Sequence, residues 1–269
     1  MMGRYLTDLA EVCRCTGSPV VEVDGWKTRA RGSGGYADGK PDHVMCHHTA
    51  SGPSSDGWPD VNYMTFTHQD SPVTNLYLSR DGTIYVCAAG GANTNGKGDC
   101  AHISPDSMNS SAIGIEAGNN GVGETWTPVQ QDTFVALCRV LCDSYGIPVD
   151  HVHAHFEWAP SRKIDPAGNS RYAAGGASWD MDAFRGDVHY YTGGAPPPVP
   201  EEDMTPEQAQ QLAELHASLT GPISDRFVDP GGVPIDVPWG VGWTWEYVSQ
   251  NVDTKLADII ARLDRLEQT

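Results

Sequence analysis

Positive charge is scarce in this chain: 17 Lys and Arg stand against 35 Asp and Glu, leaving a formal net charge of −18 over 269 residues. A general basic surface that neutralises phosphates is therefore excluded, and no nucleic-acid partner is expected. The same deficit disfavours attraction to anionic membranes. Long apolar runs are missing too. No stretch approaches the roughly eighteen residues that a membrane span needs, so no stable membrane insertion is expected. Residues Met1 to Glu11 lack the uninterrupted apolar core of a secretory signal. On that reading the chain is cytoplasmic where it is made, and any target outside needs a separate means of release.

Two common metal signatures are also absent. There is no CxxC pair of zinc-ribbon type and no HExxH, which excludes the helix-borne zincin arrangement. The seven cysteines (Cys13, Cys15, Cys46, Cys87, Cys100, Cys138 and Cys142) are odd in number and irregular in spacing. Cys138 and Cys142 stand four apart in an apolar helical run and read as small buried fillers. Free thiols made in a reducing compartment are expected, with no disulfide framework.

What is present supports a folded enzyme-sized domain. Hydrophobic residues make up 39% and charged residues 19%, enough for a sizeable core, and the length allows one to two domains. Tyr5, Leu6, Leu9, Val12 and Cys13 recur at helical spacing. Val20–Val23 reads as a short strand, and His43–His48 as a buried strand after a polar, Gly-rich loop. Leu76–Leu78 and Thr83–Val86 flank Arg80-Asp81-Gly82 as a hairpin, and Ala112–Glu116 is a further strand. Thr127-Pro128-Val129-Gln130 supplies an N-cap, a Pro at the first helical position and a capping-box Gln. The helix it opens should run to Tyr145 and stop at Gly146. Val152–His155 reads as a short strand leading into a Pro-containing loop. Interspersed strands and helices predict an α/β fold with a central mixed β-sheet flanked by helices over residues 1–192.

Residues 193–204 contain Pro196-Pro197-Pro198 and read as a semi-stiff linker. Residues 205–269 are expected to form a small, mainly helical C-terminal segment for targeting or oligomerisation. Its last helix carries Val252, Leu256, Ile259, Leu263 and Leu266 at alternating spacings of four and three, a seam for homo-oligomerisation. Trp239, Trp243, Trp245 and Tyr247 are aromatics of the kind that stack on sugars, but packing against the flanking helices is the preferred reading.

The histidines carry the chemistry. His43, His47 and His48 cluster on one strand and His151, His153 and His155 on another. A lone strand histidine is usually structural; two His-rich strand ends with a downstream carboxylate point towards a metal. Adjacent His47 and His48 face opposite sides of the sheet, so only one serves a given site. His151, His153 and His155 share a face, which leaves the second ligand open, chiefly between His153 and His155.

Three segments then become recognisable: Val44-Met45-Cys46-His47-His48-Thr49-Ala50, Ala112-Ile113-Gly114-Ile115-Glu116, and His155-Phe156-Glu157-Trp158-Ala159-Pro160-Ser161-Arg162-Lys163-Ile164-Asp165-Pro166. In this order they resemble the zinc-dependent N-acetylmuramoyl-L-alanine amidases related to T7 lysozyme and the peptidoglycan recognition proteins. The resemblance covers about residues 20 to 190, and its most specific piece is His155–Pro166. It implies Zn2+ held by His47, His155 and Asp165, a catalytic lysine at Lys163, and a metal-facing glutamate at Glu116. It also implies a peptidoglycan substrate, cleaved between N-acetylmuramic acid and L-alanine. Three protein ligands leave a fourth position for water, the pattern of a catalytic zinc. Glu116 would take the water's proton and Lys163 would stabilise the oxyanion.

One departure stands out. Where many members have an aromatic-His pair, this chain has Thr74 and Asn75, which either assist by hydrogen bonding or have lost that role to another group; Tyr77 is a weak substitute candidate. Among the rest, His43 and His48 read as packing residues, and His102 and Arg162 as surface residues with some reach to substrate. Trp26 and Trp158 are divided between the glycan cleft and the core. The layout fits a bacteriophage endolysin that accumulates in the host cytoplasm and reaches the wall after holin-type release. The alternatives are a non-catalytic peptidoglycan-binding module and a virion-associated wall-opening protein; a different zinc hydrolase, such as a peptide-cleaving one, is a further rival that product analysis would exclude.

Overall fold

Strand β2 (His43–His48) is buried at all six positions, as a central strand covered on both faces must be. It pairs in parallel with β5 (Ala112–Ala117) on one side and with β6 (Val152–Ala154) on the other. Beyond β5 lies β3 (Leu76–Leu78), then β4 (Ile84–Val86) antiparallel to it, then β1 (Val20–Glu22), giving the order β1-β4-β3-β5-β2-β6. The β3–β4 hairpin closes through Gly82, whose φ of 85° is the left-handed conformation that favours glycine at this turn. This is the mixed sheet expected from the sequence, and the computed structural model that shows it describes residues 3–192. The linker and C-terminal segment, with the aromatics and heptad seam assigned to them, lie outside the described residues.

Alternation divides the sheet into two chemically different faces. Val44 and Cys46, Ile113 and Ile115, Leu76 and Leu78, and Ile84 and Val86 all enter the main hydrophobic core. That core is completed by α1 (Leu9–Arg14), α3 (Pro128–Tyr145) and α5 (Met181–Tyr190). Leu137 of α3 is fully buried there, so Leu137→Ala should cost about 2–5 kcal/mol. All seven cysteines are free thiols and six are buried; the Cys46 and Cys138 sulfurs stand 3.8 Å apart between sheet and helix.

Helix α3 has the predicted limits: Thr127 Oγ1 accepts the Gln130 N–H at 3.1 Å, and Gly146 ends the helix at φ 66°. The expected reciprocal capping-box bond is not made. Gln130 instead donates its side-chain amide to the Gly118 carbonyl at 2.9 Å, fastening the helix to the end of β5. Helix α1 starts at Leu9, later than the apolar spacing suggests, because Arg4 is held in a β-bridge with Tyr36. Among the described residues no helix is long and apolar enough to cross a membrane.

The opposite face carries His43, Met45 and His47 on β2, Gly114 and Glu116 on β5, and Tyr77 on β3. Short elements and loops cover it, among them α2 (Trp58–Asn62) and the loop around residues 92–96. A Cβ on Gly114 would lie 2.3 Å from Thr94 Oγ1, so the missing side chain lets that loop lie directly on the sheet. The one-turn helix α4 (His155–Trp158) follows β6 without a break. Glu157 accepts the Ala154 N–H at 2.9 Å and pairs with Arg185 of α5 at 3.0 Å, which anchors that turn to the core helices.

Candidate active site

Sheet register sets the site. Tyr77, Glu116 and His47 are direct neighbours on β3, β5 and β2, so their side chains form one row across the sheet. Cys46 pairs with Ala154, which places His155 next to His47 one residue further on. Asp165 is returned to the same place by the Phe156 N–H, which donates to its carbonyl at 3.1 Å. Beyond it, the chain is held by Trp126, whose indole N–H donates to the Ala167 carbonyl at 2.9 Å, and by Trp179, packed 4.6 Å from Trp126.

His47 Nδ1 lies 2.9 Å from His155 Nδ1, and Asp165 Oδ2 is 3.0 Å from both. All three residues are buried. Both rings carry their other nitrogen towards Asn95: His47 Nε2 is 3.2 Å from the Asn95 side-chain oxygen, and His155 Nε2 is 2.9 Å from its main-chain carbonyl. Those acceptors place the proton of each neutral ring on Nε2 and leave both Nδ1 atoms as lone pairs. Two lone-pair nitrogens and a carboxylate oxygen then converge with no hydrogen among them. Such a trio repels itself unless a positive charge lies between, and the donor set of two imidazoles and a carboxylate suits zinc.

The electrostatics carry the same sign. Burial opposes protonation of His47, but Glu116 and Asp165 outweigh it, and its proton affinity is raised. His155 is pushed down to about 4 by burial and by the neighbouring His47 charge. Asp165 is also buried, yet the adjoining His155 and His47 rings hold it well below the usual carboxylate range. Glu116 is half-buried, and its Oε2 is shielded from solvent with no hydrogen-bond partner. Burial pushes its carboxyl up to about 7, with His47 and Lys163 lowering it and Asp165 raising it. Lys163 is half-buried, and its charge acts on Glu116, His47 and Asp165's partner His155.

The structure therefore brings together His47, His155 and Asp165, with Glu116 and Lys163 within electrostatic reach. His153 does not join them: its ring stacks 5.5 Å from His43 at the other end of the strands. His48 faces the opposite side and accepts the Ala167 N–H at 3.0 Å, positioning the chain just after Asp165. Thr74 and Asn75 are fully buried and committed to backbone: Thr74 Oγ1 donates to the Leu76 carbonyl, and Asn75 spans Ala88, Gly90 and Gly114. Tyr77 donates its hydroxyl to Asp56 at 2.6 Å. Trp26 and Trp158 are core residues, 3% and 0% exposed. Arg162 donates to the Asn95 and Lys97 carbonyls and clamps the loop over the site.

Asn95 is the site residue that sequence reasoning missed. It lies in a polar Gly/Asn loop with no periodicity, and only its contact with both histidines marks it.

An α/β sheet that ends in a buried His-His-Asp trio beside a raised carboxyl can hold a metal ion next to a proton acceptor. Residues 37–168 match the family described as N-acetylmuramoyl-L-alanine amidase, and this region of the chain is an amidase domain of that family. No match was found among curated proteins. Similar solved structures include LysC, an N-acetylmuramoyl-L-alanine amidase from Clostridium intestinale URNW, 18% identical over 63% of this chain and 97% of that one, TM-score 0.43. Drosophila PGRP-LB is 16% identical over 56% of this chain and 89% of its own, TM-score 0.44. AMPDH3 from Pseudomonas aeruginosa is 21% identical over 54% and 60%, TM-score 0.41.

Proposed function

We propose that the chain hydrolyses peptidoglycan at the amide joining the lactyl group of N-acetylmuramic acid to L-alanine, with His47, His155 and Asp165 holding Zn2+. The observation that carries this reading is the convergence of two lone-pair nitrogens and a carboxylate oxygen within 3.0 Å, with both rings oriented by Asn95. A zinc ion bound there would polarise the amide carbonyl and bring the pKa of a water to about 7.

The protein's own groups do the rest. Glu116 has an unpartnered Oε2 and a carboxyl pushed up to about 7, so it can accept a proton from the attacking water and pass it to the leaving amine near neutral pH. Lys163 supplies a positive charge for the oxygen that becomes negative as the carbonyl turns tetrahedral. Asn95 keeps both ligand rings in one tautomer throughout. Thr74 and Asn75 are fully occupied in the sheet and supply no hydrogen bond to this reaction.

The biological setting follows from the same reading: an endolysin-type enzyme made in the host cytoplasm, released through a holin-type pore to lyse the cell. The linker at 193–204 would then join the amidase domain to a C-terminal segment that targets or oligomerises.

The test is digestion of purified peptidoglycan by wild type and Asp165→Ala, with zinc content and released ends measured together. Free L-alanine amino termini without new reducing sugar ends, lost with zinc in the variant, are expected. New reducing ends would mean another bond, and zinc binding without cleavage would make this a recognition module.

A further inference from the structure

Four histidines outside the amidase centre form a column at the opposite end of β2 and β6. The His102 and His151 rings stack with centroids 5.0 Å apart, His151 and His43 at 4.4 Å, and His43 and His153 at 5.5 Å. Asp42 organises the middle of this column. Its carbonyl accepts from His151 Nδ1 at 2.8 Å, and its carboxylate accepts from His43 Nδ1 at 2.7 Å. The neutral His151 ring therefore keeps its proton on Nδ1 and offers a lone pair at Nε2, the opposite tautomer to that of His47 and His155 but fixed in the same way, by an acceptor behind the ring. Asp150 lies beside it, and one ligand atom from each of His102, Asp150 and His151 falls within 4.8 Å of the others.

We propose that His102, Asp150 and His151 form a second site for a divalent first-row cation, of the zinc, nickel or copper class that imidazole and carboxylate ligands favour. His151 is the fixed member, half-buried with its tautomer set. His102 and Asp150 are exposed, so small side-chain rotations close the spacing to the 3–3.5 Å typical between ligand atoms. The site is separate from the amidase centre, because four residues of near-extended chain, roughly 13 Å, run from His151 to His155.

Its location suggests a structural effect. His102 belongs to the same connection as Asn95, while Asp150 and His151 form the turn that enters β6 and leads to His155. A cation there ties the segment that orients both catalytic histidines to the segment that carries one of them.

The experiment counts metal on the full chain after chelation and dialysis against micromolar Zn2+. Wild type should hold two equivalents; Asp165→Ala should keep one, and so should His151→Ala. His102→Asn and Asp150→Asn change exposed side chains and should each lose the second equivalent with the fold intact. In the Asp165→Ala background, Zn2+ should raise the unfolding temperature, and adding His102→Asn should abolish the rise. A wild type with one equivalent that Asp165→Ala removes overturns the proposal, as does a second equivalent that survives both His102→Asn and Asp150→Asn. If wild type holds one equivalent that Asp165→Ala keeps and His102→Asn loses, the second site stands and the zinc reading of the amidase centre falls.

Discussion

His43 and His47 leave the same face of β2 four residues apart, and each meets histidines from the segment 151–155. Their surroundings nevertheless make them opposites. At the C-terminal end His47 and His155 meet edge-on, at 79° between ring planes, so their in-plane lone pairs converge on a point where Asp165 completes the set. At the N-terminal end His43 and His151 stack at 14°, so their lone pairs run side by side, and His43 takes no part in the cluster that His151 makes with His102 and Asp150. The difference teaches that residue type and strand position do not make a metal centre. Ring orientation does, and it is imposed by acceptors placed behind the rings: Asn95 at one end, Asp42 at the other.

The largest test of this contrast removes the carboxylate that sits between the two converging rings. Asp165→Asn should abolish metal retention at the amidase centre and lower kcat/KM by about three orders of magnitude or more, read by peptidoglycan digestion and metal analysis. The His43 column should keep its stacking, visible as unchanged imidazole resonances in NMR.

Next in size, Glu116→Gln should retain the metal yet lose about two to four orders of magnitude in kcat. In the wild type the carboxyl must be ionised to accept a proton, so activity should climb as pH rises through about 7. The variant should lose that limb, which a pH profile of kcat/KM would reveal.

Asn95→Ala sharpens the comparison by removing the side-chain acceptor behind His47 while keeping the main-chain acceptor behind His155. Metal affinity should fall about 10- to 100-fold, as measured by competition with a chromogenic chelator. Retained affinity would show that ring orientation is set by packing alone.

The smallest effect concerns acid. Burial lowers His153 to about 4 and also lowers His43. A histidine whose folded pKa is depressed takes up its proton in the unfolded chain first. Stability should therefore decline as pH falls below about 6.5 and continue to decline towards 4, with His153 contributing up to about 3 kcal/mol. Urea unfolding at stepped pH on chelated protein measures this, and His153→Phe should flatten the slope.

Legibility followed physical range. The strands, the hairpin and the limits of α3 were readable because they depend on local pattern and capping; histidine spacing alone left His153 and His155 open, and only the family resemblance pointed to His47, His155 and Asp165, which the fold does bring together. Helix α5 escaped, since Gly186 interrupts it and only Met181, Phe184 and Val188 are buried. Asn95 escaped for a different reason: its role exists only after Gly114 allows its loop onto the sheet. The capping-box bond of Gln130 is not made because the side chain turns its N–H to the Gly118 carbonyl, an orientation that leaves Oε1 without a partner.

In the order β1-β4-β3-β5-β2-β6, Glu116 and His47 stand on interior strands, but β6 is an edge strand of three residues. His155, proposed above as a metal ligand, thus follows directly from the margin of the sheet. Margins open before interiors do, and an opening of β6 carries His155 away while leaving His47 and Glu116 in place. Under the proposed ligation, release of a bound ion would need only fraying, not global unfolding. The amides of Val152–Ala154 would then exchange with solvent at the rate at which the ion escapes, so the lifetime of the metal-loaded enzyme would be set by a three-residue strand at the sheet's edge.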